Sequence, residues 1–155
     1  GKSTQAQSLA HRLQEAGYTV LLTREPGGTK LGEAVRGILL GKDHEISQRT
    51  EALLYAAARA QHVQEKIIPA LERGEIVICD RFVDSSLAYQ GYGLGMRLWE
   101  INQINSFATG GLKPDLTFLL DLSPKEGLAR ARQDRGWIGS KNALWSFMLK
   151  CAKAF

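Results

Sequence analysis

The chain has 155 residues, of which 44% are hydrophobic, and this length suits one domain with an ordinary core. No apolar run approaches the roughly 20 residues of a membrane span, and no signal-peptide pattern is present, so no membrane partner is expected. The net charge is +4, but residues 136–155 hold three lysines and no acid. This uneven charge argues against a basic face for nucleic acid.

The two cysteines, Cys79 and Cys151, lie far apart in the chain and match neither a metal-binding nor a redox spacing. Free thiols are typical of a reducing compartment, so the sequence predicts a cytoplasmic protein. Because Cys79 lies inside an apolar run, we expect it to be an inert core thiol.

The chain begins with Gly1-Lys2-Ser3-Thr4, which matches the second half of a phosphate-binding loop. In the full pattern, backbone amides hold phosphate oxygens, the lysine reaches the β- and γ-phosphates, and the hydroxyl binds Mg²⁺. The first half of the loop and the strand before it are missing, so we expect a truncated chain. Taken alone, these four residues are equally compatible with a loop that enters a helix.

Hydrophobic periodicity then predicts alternating helices and short strands. In the first half of the chain we expect helices over residues 6–16, 32–40 and 48–68, with Pro69 bending the last of them, and a strand over residues 19–23 that leads into a Pro-Gly-Gly loop.

In the second half, residues 76–80 form a continuous apolar run, as expected for a strand that is buried on both faces of a parallel sheet. Helices are expected over residues 84–90 and 98–108, separated by a glycine-rich loop over 91–95, and a second buried strand over 116–121. Ser123 and Glu126 then form a capping box around Pro124. This alternation predicts a doubly wound α/β domain with a parallel sheet flanked by helices.

Polar residues follow the predicted strands at the sheet edge where ligands bind in such folds. Glu25, Asp80 and Asp121 all fall there. Asp80 can hold Mg²⁺ through water, and Arg81 can clamp phosphates. The alternatives are a tight turn at Pro26 and a structural ion pair formed by Asp80 and Arg81.

Tyr55 and Arg59 are four residues apart on a predicted helix and therefore share a face. A ring and a guanidinium group on one face can stack on a base and hydrogen-bond to it, although Tyr55 is equally compatible with the core. The histidines His11, His44 and His62 have no partner at catalytic spacing, and we expect all three to be solvated.

Together these segments resemble bacterial thymidylate kinases. The matching stretches are GKST at 1–4, TREPGGT at 23–29, LLYAAARAQH at 53–62, DRFVDSSLAYQGYG at 80–93 and ATGGLKPDLTFLLDLSPKEGLARAR at 108–132. The resemblance implies the P-loop nucleoside monophosphate kinase fold, here without its first and last strands. It also implies phosphorylation of dTMP to dTDP with ATP and Mg²⁺ by a homodimer.

The resemblance also implies a role for each matching residue. Gly1, Lys2, Ser3 and Thr4 would serve the donor phosphates of ATP, with Ser3 and Asp80 at the Mg²⁺ ion. Tyr55 would stack on thymine while Arg59 hydrogen-bonds the base. The catalytic group would comprise Lys2, Glu25 and Arg81, and the remaining contacts to the deoxynucleotide would come from Glu25, Arg81, Ser86, Tyr89 and Gln90. Gly93-Leu94-Gly95 departs from the family, which often has arginine between the glycines.

The resemblance covers residues 1–135, which we predict to be a partial kinase core, and it is lost in residues 136–155. Trp137-Ile138 must be encoded by TGG followed by AT, and the same nucleotides read one position earlier contain GAT, an aspartate codon of the kind expected in the family's acidic lid. We therefore expect an out-of-frame tail; a divergent helix near residues 143–152 is the alternative.

Two other functions fit the same residues. The first is another nucleoside monophosphate kinase or a deoxynucleoside kinase, and the second is a non-catalytic or decayed nucleotide-binding product. Because the first strand is central in this fold, we expect the 155-residue chain to be weakly active or inactive.

Overall fold

The computed structural model describes residues 1–41, 45–135, 147, 150 and 151. The strands are β1 (Val20–Arg24) and β2 (Ile76–Asp80). The α-helices are α1 (Lys2–Glu15), α2 (Lys30–Leu40), α3 (Gln48–His62), α4 (Ile68–Glu72), α5 (Val83–Ser86), α6 (Leu98–Thr109) and α7 (Pro124–Arg135), and two π-helical segments span Val63–Ile67 and Leu87–Gly93. None of the described helices combines the length and the apolar character that crossing a membrane requires.

The two strands are parallel neighbours, with Val20 opposite Ile76 and Arg24 opposite Asp80. Parallel strands need a long crossover connection, and the helices α2 to α4 supply it. Helix α1 packs on both strands and α4 packs on β2, while α3 lies between α2 and α6. The predicted α/β class with a parallel sheet flanked by helices is therefore confirmed.

Local capping explains where several elements begin and end. Helix α2 begins two residues before the predicted start, because the Thr29 hydroxyl accepts a hydrogen bond from Gly32 N at 2.9 Å. Helix α6 ends at Gly110, whose φ of 61° is the left-handed conformation that closes a helix. The bounds of β2 are the predicted ones, although its residues are half-buried rather than fully enclosed.

The long helix predicted over residues 48–68 is interrupted by the first π-helical segment, Val63–Ile67. Pro69 explains the interruption, since it has no N–H to donate and its ring crowds the carbonyl four residues earlier. A wider turn before proline relieves that conflict. The second π-helical segment, Leu87–Gly93, carries helical backbone into the predicted glycine-rich loop, so that prediction was wrong at residues 91–93.

The strand predicted over residues 116–121 is absent from the described structure, and this prediction was wrong. The segment is irregular and its apolar side chains are exposed, with Phe118 at 69%. A strand forms only where a neighbour supplies hydrogen bonds, and the segment pairs with neither β1 nor β2. Asp121 consequently lies at no strand end. The predicted cap after it is half formed, since Glu126 N donates to the Ser123 hydroxyl at 3.3 Å.

In the tail, residues 136–146, 148, 149 and 152–155 lie outside the described residues, as do Lys42, Asp43 and His44. Phe147, Lys150 and Cys151 have helical backbone. The Phe147 ring packs at 5.8 Å from the Tyr89 ring, and Cys151 is buried. The frameshift interpretation and the alternative of a divergent helix otherwise concern residues outside the described part.

Candidate active site

The carboxyl ends of β1 and β2 bring two predicted site segments together. The ladder continues one residue beyond β1, since Glu25 N donates to the Asp80 carbonyl at 3.1 Å. Glu25 therefore lies beside Asp80 and Arg81, as expected when parallel strands end at the same edge of a sheet.

Glu25 forms a buried ion pair with Arg59 of α3. Its Oε2 accepts a hydrogen bond from Arg59 Nε at 2.7 Å, and its Oε1 accepts one from His62 Nδ1 at 3.1 Å. These three side chains are at most 5% exposed. Charged groups are rarely buried to this extent unless they are paired, and here both carboxylate oxygens have a donor.

The Arg59 guanidinium group is held by further partners. Nη1 donates to the Ser86 hydroxyl at 3.1 Å and to Asn105 Oδ1, and Nη2 donates to the Phe82 carbonyl at 3.2 Å. The Phe82 ring lies beneath the guanidinium carbon at 5.4 Å. A guanidinium group has five N–H donors. These three hydrogen bonds and the one to Glu25 use four of them, which leaves one Nη2–H without a partner among the described residues.

His62 is the functional candidate that sequence reasoning missed. It was expected to be solvated, but it is fully buried, and its Nε2 lies 2.7 Å from the Thr23 hydroxyl. The available signal was its spacing, because a residue three positions after Arg59 lies on the same helical face. His11 agrees with its prediction, since it is exposed and pairs only with Glu15 at 3.4 Å.

The loop after β1 packs closely on the His62 ring. Gly28 has a φ of +79°, and a Cβ atom at this position would lie 2.7 Å from the ring and 2.8 Å from Thr23 Oγ1. Only glycine fits this approach. Gly28 N also donates to Glu33 Oε1 at 3.2 Å, and this hydrogen bond lowers the pKa of the Glu33 carboxyl.

A second group of predicted residues surrounds Arg81. Arg81 Nη2 donates to the Tyr89 hydroxyl at 3.4 Å, and its guanidinium carbon lies 5.1 Å from the centre of the Tyr89 ring. Burial raises the pKa of the Tyr55 phenol, Glu51 raises it further, and the positive charge of Arg81 opposes this. Tyr55 is half-buried. The backbone φ of Arg81 is 73°, a value that residues with a Cβ atom rarely adopt.

Gln90 of the second π-helical segment is buried and donates to Glu51 Oε1 of α3 at 2.7 Å. This hydrogen bond ties the segment that carries Ser86, Tyr89 and Gln90 to the helix that carries Tyr55 and Arg59. The helix and the segment that carry these five predicted substrate-binding residues are therefore in direct contact.

The predicted phosphate end lies at the start of α1. The Ser3 hydroxyl donates to Asp80 Oδ2 at 2.5 Å, so the two predicted metal residues are adjacent. Gly1 N donates to the Thr4 hydroxyl at 3.2 Å, and the Lys2 side chain is exposed. Asp121 was expected at the same edge, but its exposed, irregular segment makes no such contact in the described residues.

Two sets of residues are candidates for holding a metal. Ligand atoms of Glu25, His62 and Cys79 lie within 4.8 Å of one another. Each already has a hydrogen-bond partner, and burial raises the pKa of the Cys79 thiol, which donates to the Arg81 carbonyl at 3.1 Å. Mg²⁺ prefers oxygen ligands and keeps several waters. The exposed Ser3 and Asp80 oxygens fit that ion, and the buried set next to the Arg59 cation does not.

Comparisons with known proteins agree with this geometry. The thymidylate kinase family model matches residues 1–143. The chain is 56% identical over 139 residues to a thymidylate kinase of Exiguobacterium sp. (strain ATCC BAA-1283 / AT1b), covering 89% of this chain and 65% of the relative. It is 59% identical over 132 residues to one of Synechococcus sp. (strain JA-3-3Ab), covering 85% of this chain and 64% of the relative.

A crystal structure of thymidylate kinase from Ehrlichia chaffeensis superposes with a TM-score of 0.73 at 43% identity, covering 84% of this chain and 74% of that one. The chain spans slightly less than two thirds of the length of the two curated relatives. The motifs, the parallel-sheet core and these matches together show that the chain belongs to the thymidylate kinase family.

Proposed function

We propose that the whole protein transfers the γ-phosphoryl group of ATP to dTMP and forms dTDP. The observation that carries this proposal is the convergence of Tyr55, Arg59, Arg81, Ser86 and Tyr89 beside the end of β2. Arg59 donates a hydrogen bond to Ser86, and Arg81 donates one to Tyr89. The positive charge of Arg81 also opposes the rise in the pKa of the Tyr55 phenol that burial causes. This wall combines aromatic faces, which suit a base and a sugar, with cations, which suit a phosphate.

In this proposal Tyr55 stacks on the thymine ring. Arg59 directs its remaining Nη2–H at a carbonyl oxygen of the base. Because Arg59 is already held by Glu25, Ser86 and Phe82, little conformational freedom is lost when the base binds. Gln90 supports the same wall through Glu51.

Arg81 is proposed to contact the acceptor phosphate, with Tyr89 holding its guanidinium group. Phosphoryl transfer requires mainly positioning and compensation of negative charge. Lys2 is exposed at the start of the 14-residue helix α1 and is proposed to bind the donor phosphates together with Gly1, Ser3 and Thr4.

Ser3 and Asp80 are the residues that would hold Mg²⁺. When bound, the ion supplies positive charge to the phosphate oxygens. The 2.5 Å hydrogen bond between the two side chains supports this assignment, because it brings a hydroxyl and a carboxylate oxygen to the exposed edge where the phosphates are expected.

An acceptor panel tests the proposal. With Mg·ATP as donor in a coupled assay, the whole protein should prefer dTMP over dUMP, UMP and thymidine. Preference for thymidine would indicate a deoxynucleoside kinase instead, and preference for UMP would indicate another monophosphate kinase. For the 155-residue chain we propose weak or no turnover, and normal turnover on dTMP would contradict this.

The partners and the location are part of the proposal. A homodimer is supported by exposed apolar side chains on the helical layer formed by α2, α3 and α6, including Leu31, Leu53 and Phe107, the last 92% exposed. Phe107→Glu should lower the molar mass seen in sedimentation velocity if that layer is the interface. Cytoplasmic location without a nucleic-acid partner is supported by two free cysteines and by the net charge of +4, most of which comes from three lysines in residues 136–155.

We also propose that residues 136–155 are encoded out of frame. The family match ends within this segment, at residue 143. Sequencing the encoding DNA tests the idea, and an intact frame with no family-like alternative frame would contradict it.

A further inference from the structure

His62 links β1 to the arginine that is proposed to recognise the base. Its imidazole ring is fully buried, and both ring nitrogens have a partner. Nδ1 faces Glu25 Oε1 at 3.1 Å, and Nε2 faces Thr23 Oγ1 at 2.7 Å. Thr23 lies in β1 and Glu25 directly follows it, so one ring joins two residues at the end of the strand.

The partners determine the direction of these hydrogen bonds. A carboxylate only accepts, so Nδ1 of His62 must carry a proton and donate it to Glu25. In a neutral ring Nε2 is then an acceptor, and the Thr23 hydroxyl donates to it. The proton order is therefore Thr23 to His62 to Glu25, and Glu25 Oε2 in turn accepts from Arg59 Nε.

The ring has little room for another orientation. The backbone of Gly28 comes so close that a Cβ atom there would lie 2.7 Å from the ring. Glu25 is anchored through its own backbone to Asp80. The Glu25 carboxylate is thus held by His62 and the Glu25 backbone by Asp80, so the carboxylate meets Arg59 in one orientation. This orientation fixes the plane of the Arg59 guanidinium group.

We propose that His62 is a positioning residue: through Glu25 it fixes Arg59 so that the free Nη2–H meets a carbonyl oxygen at position 4 of a pyrimidine base. This inference rests on the proposed function. An arginine donates only, so a fixed Arg59 favours a base with a carbonyl there and disfavours cytosine, whose amino group also donates. His62 thereby contributes to substrate selection without touching the substrate.

Calorimetric titration of the full chain with dTMP, dCMP and ATP tests the proposal. His62→Leu removes both hydrogen bonds and should weaken dTMP binding by about tenfold, a size expected for a lost bond to a charged group, with ATP affinity unchanged. The preference for dTMP over dCMP should fall as well. His62→Asn, whose amide can donate to Glu25, should restore most of the affinity. His11→Leu, at an exposed histidine, is the matched control and should bind like the wild type.

A second readout needs no nucleotide. The ¹⁵N chemical shifts of the His62 ring should identify the tautomer that is protonated on Nδ1. Finding Nδ1 without a proton would overturn the proposal, as would a His62→Leu variant that binds and discriminates like the wild type. A wild-type chain that binds ATP but not dTMP would count against the proposed function instead, and the tautomer would then still decide the orientation of His62.

Discussion

At the proposed base end of the site, Glu25, Arg59 and His62 are at most 5% exposed, and Arg59 donates to four protein acceptors. At the proposed phosphate end, Lys2 and Ser3 are exposed, and the Ser3 side chain is held through a single hydrogen bond to Asp80 at 2.5 Å. The base end is therefore ordered by folding itself. The groups at the phosphate end have few partners within the described part of the protein and are open to water.

The difference in burial between the two ends predicts that one end matters mainly for stability and the other mainly for activity. Buried polar networks are costly to break because each group left behind loses its partner. Exposed polar groups contribute little to stability, since water replaces the lost contact. Substitutions at the base end should therefore lower the free energy of unfolding, whereas substitutions at the phosphate end should impair only function.

Arg59→Ala should have the largest effect on the free energy of unfolding. It leaves the Glu25 carboxylate buried without its cation and deprives Ser86 and Asn105 of a donor. Breaking a buried ion pair from one side costs about 3–5 kcal/mol. Urea unfolding followed by circular dichroism measures the change.

Arg24→Ala is the matched control, because the Arg24–Glu33 pair is exposed, with 58% and 46% of the two side chains accessible. We expect a loss below about 1 kcal/mol. Equal losses for the two alanine variants would contradict the division between a buried and an exposed region.

Gly28→Ala should be the next most harmful change. It combines an unfavourable φ of +79° with contacts below 3 Å to His62 and Thr23. The backbone term is about 1 kcal/mol, and overpacking adds about 1–3 kcal/mol. Gly17→Ala separates the two terms, since Gly17 has a φ of +88° but nothing within 4 Å of the added Cβ atom. If both variants lose the same stability, the close packing on His62 is not important.

Arg81→Gly should leave stability within about 1 kcal/mol of the wild type, because relief of the backbone strain offsets the lost contact with Tyr89. The dTMP phosphorylation that is proposed for the whole protein should nevertheless fall by about tenfold or more, of the order seen when a charge-assisted contact is removed. Thermal unfolding and the coupled kinase assay, run on the same preparation, measure both effects. A stability loss as large as that of Arg59→Ala would place Arg81 in the buried network.

Ser3→Ala should change stability least, by less than about 0.5 kcal/mol, as is usual for an exposed surface site. It should raise the Mg²⁺ concentration needed for half-maximal activity. Ser8→Ala, an exposed site on the same helix, should leave both properties unchanged. An unaltered Mg²⁺ requirement in Ser3→Ala would remove Ser3 from the metal site.

The fold was predictable where local signals suffice. The apolar run over residues 76–80 predicted the bounds of β2, and the helical periodicity predicted α6 to within one residue. The prediction of a strand over residues 116–121 failed because strand formation depends on a hydrogen-bonding neighbour, and the segment itself carries no signal that shows whether one is present. The π-helical segments were missed for a related reason, since their hydrogen bonds reflect packing as much as propensity.

In the candidate site, motifs led to the assignments of Tyr55, Arg59, Arg81, Ser86 and Tyr89, which stay predictions. The strand ends predicted that Glu25 and Asp80 lie together, and they do. His62 was not found, because a lone histidine on a helix gives no sign of burial. Its role depends on Glu25 and Thr23, which are 37 and 39 residues away along the chain. Such contacts become visible only once the strand and the helix are placed side by side.

The first π-helical segment, Val63–Ile67, has a consequence for the phase of the helix around it. A π-turn accommodates one extra residue, and one residue corresponds to about 100° of rotation in an α-helix. The extra residue lets α3 turn Arg59 and His62 toward the site while α4, beyond it, keeps its apolar face on β2. If a single residue within Val63–Ile67 were deleted, α3 and α4 could not both keep their present contacts, because one of them would be rotated by about 100°. The length of this segment therefore matters more than its composition.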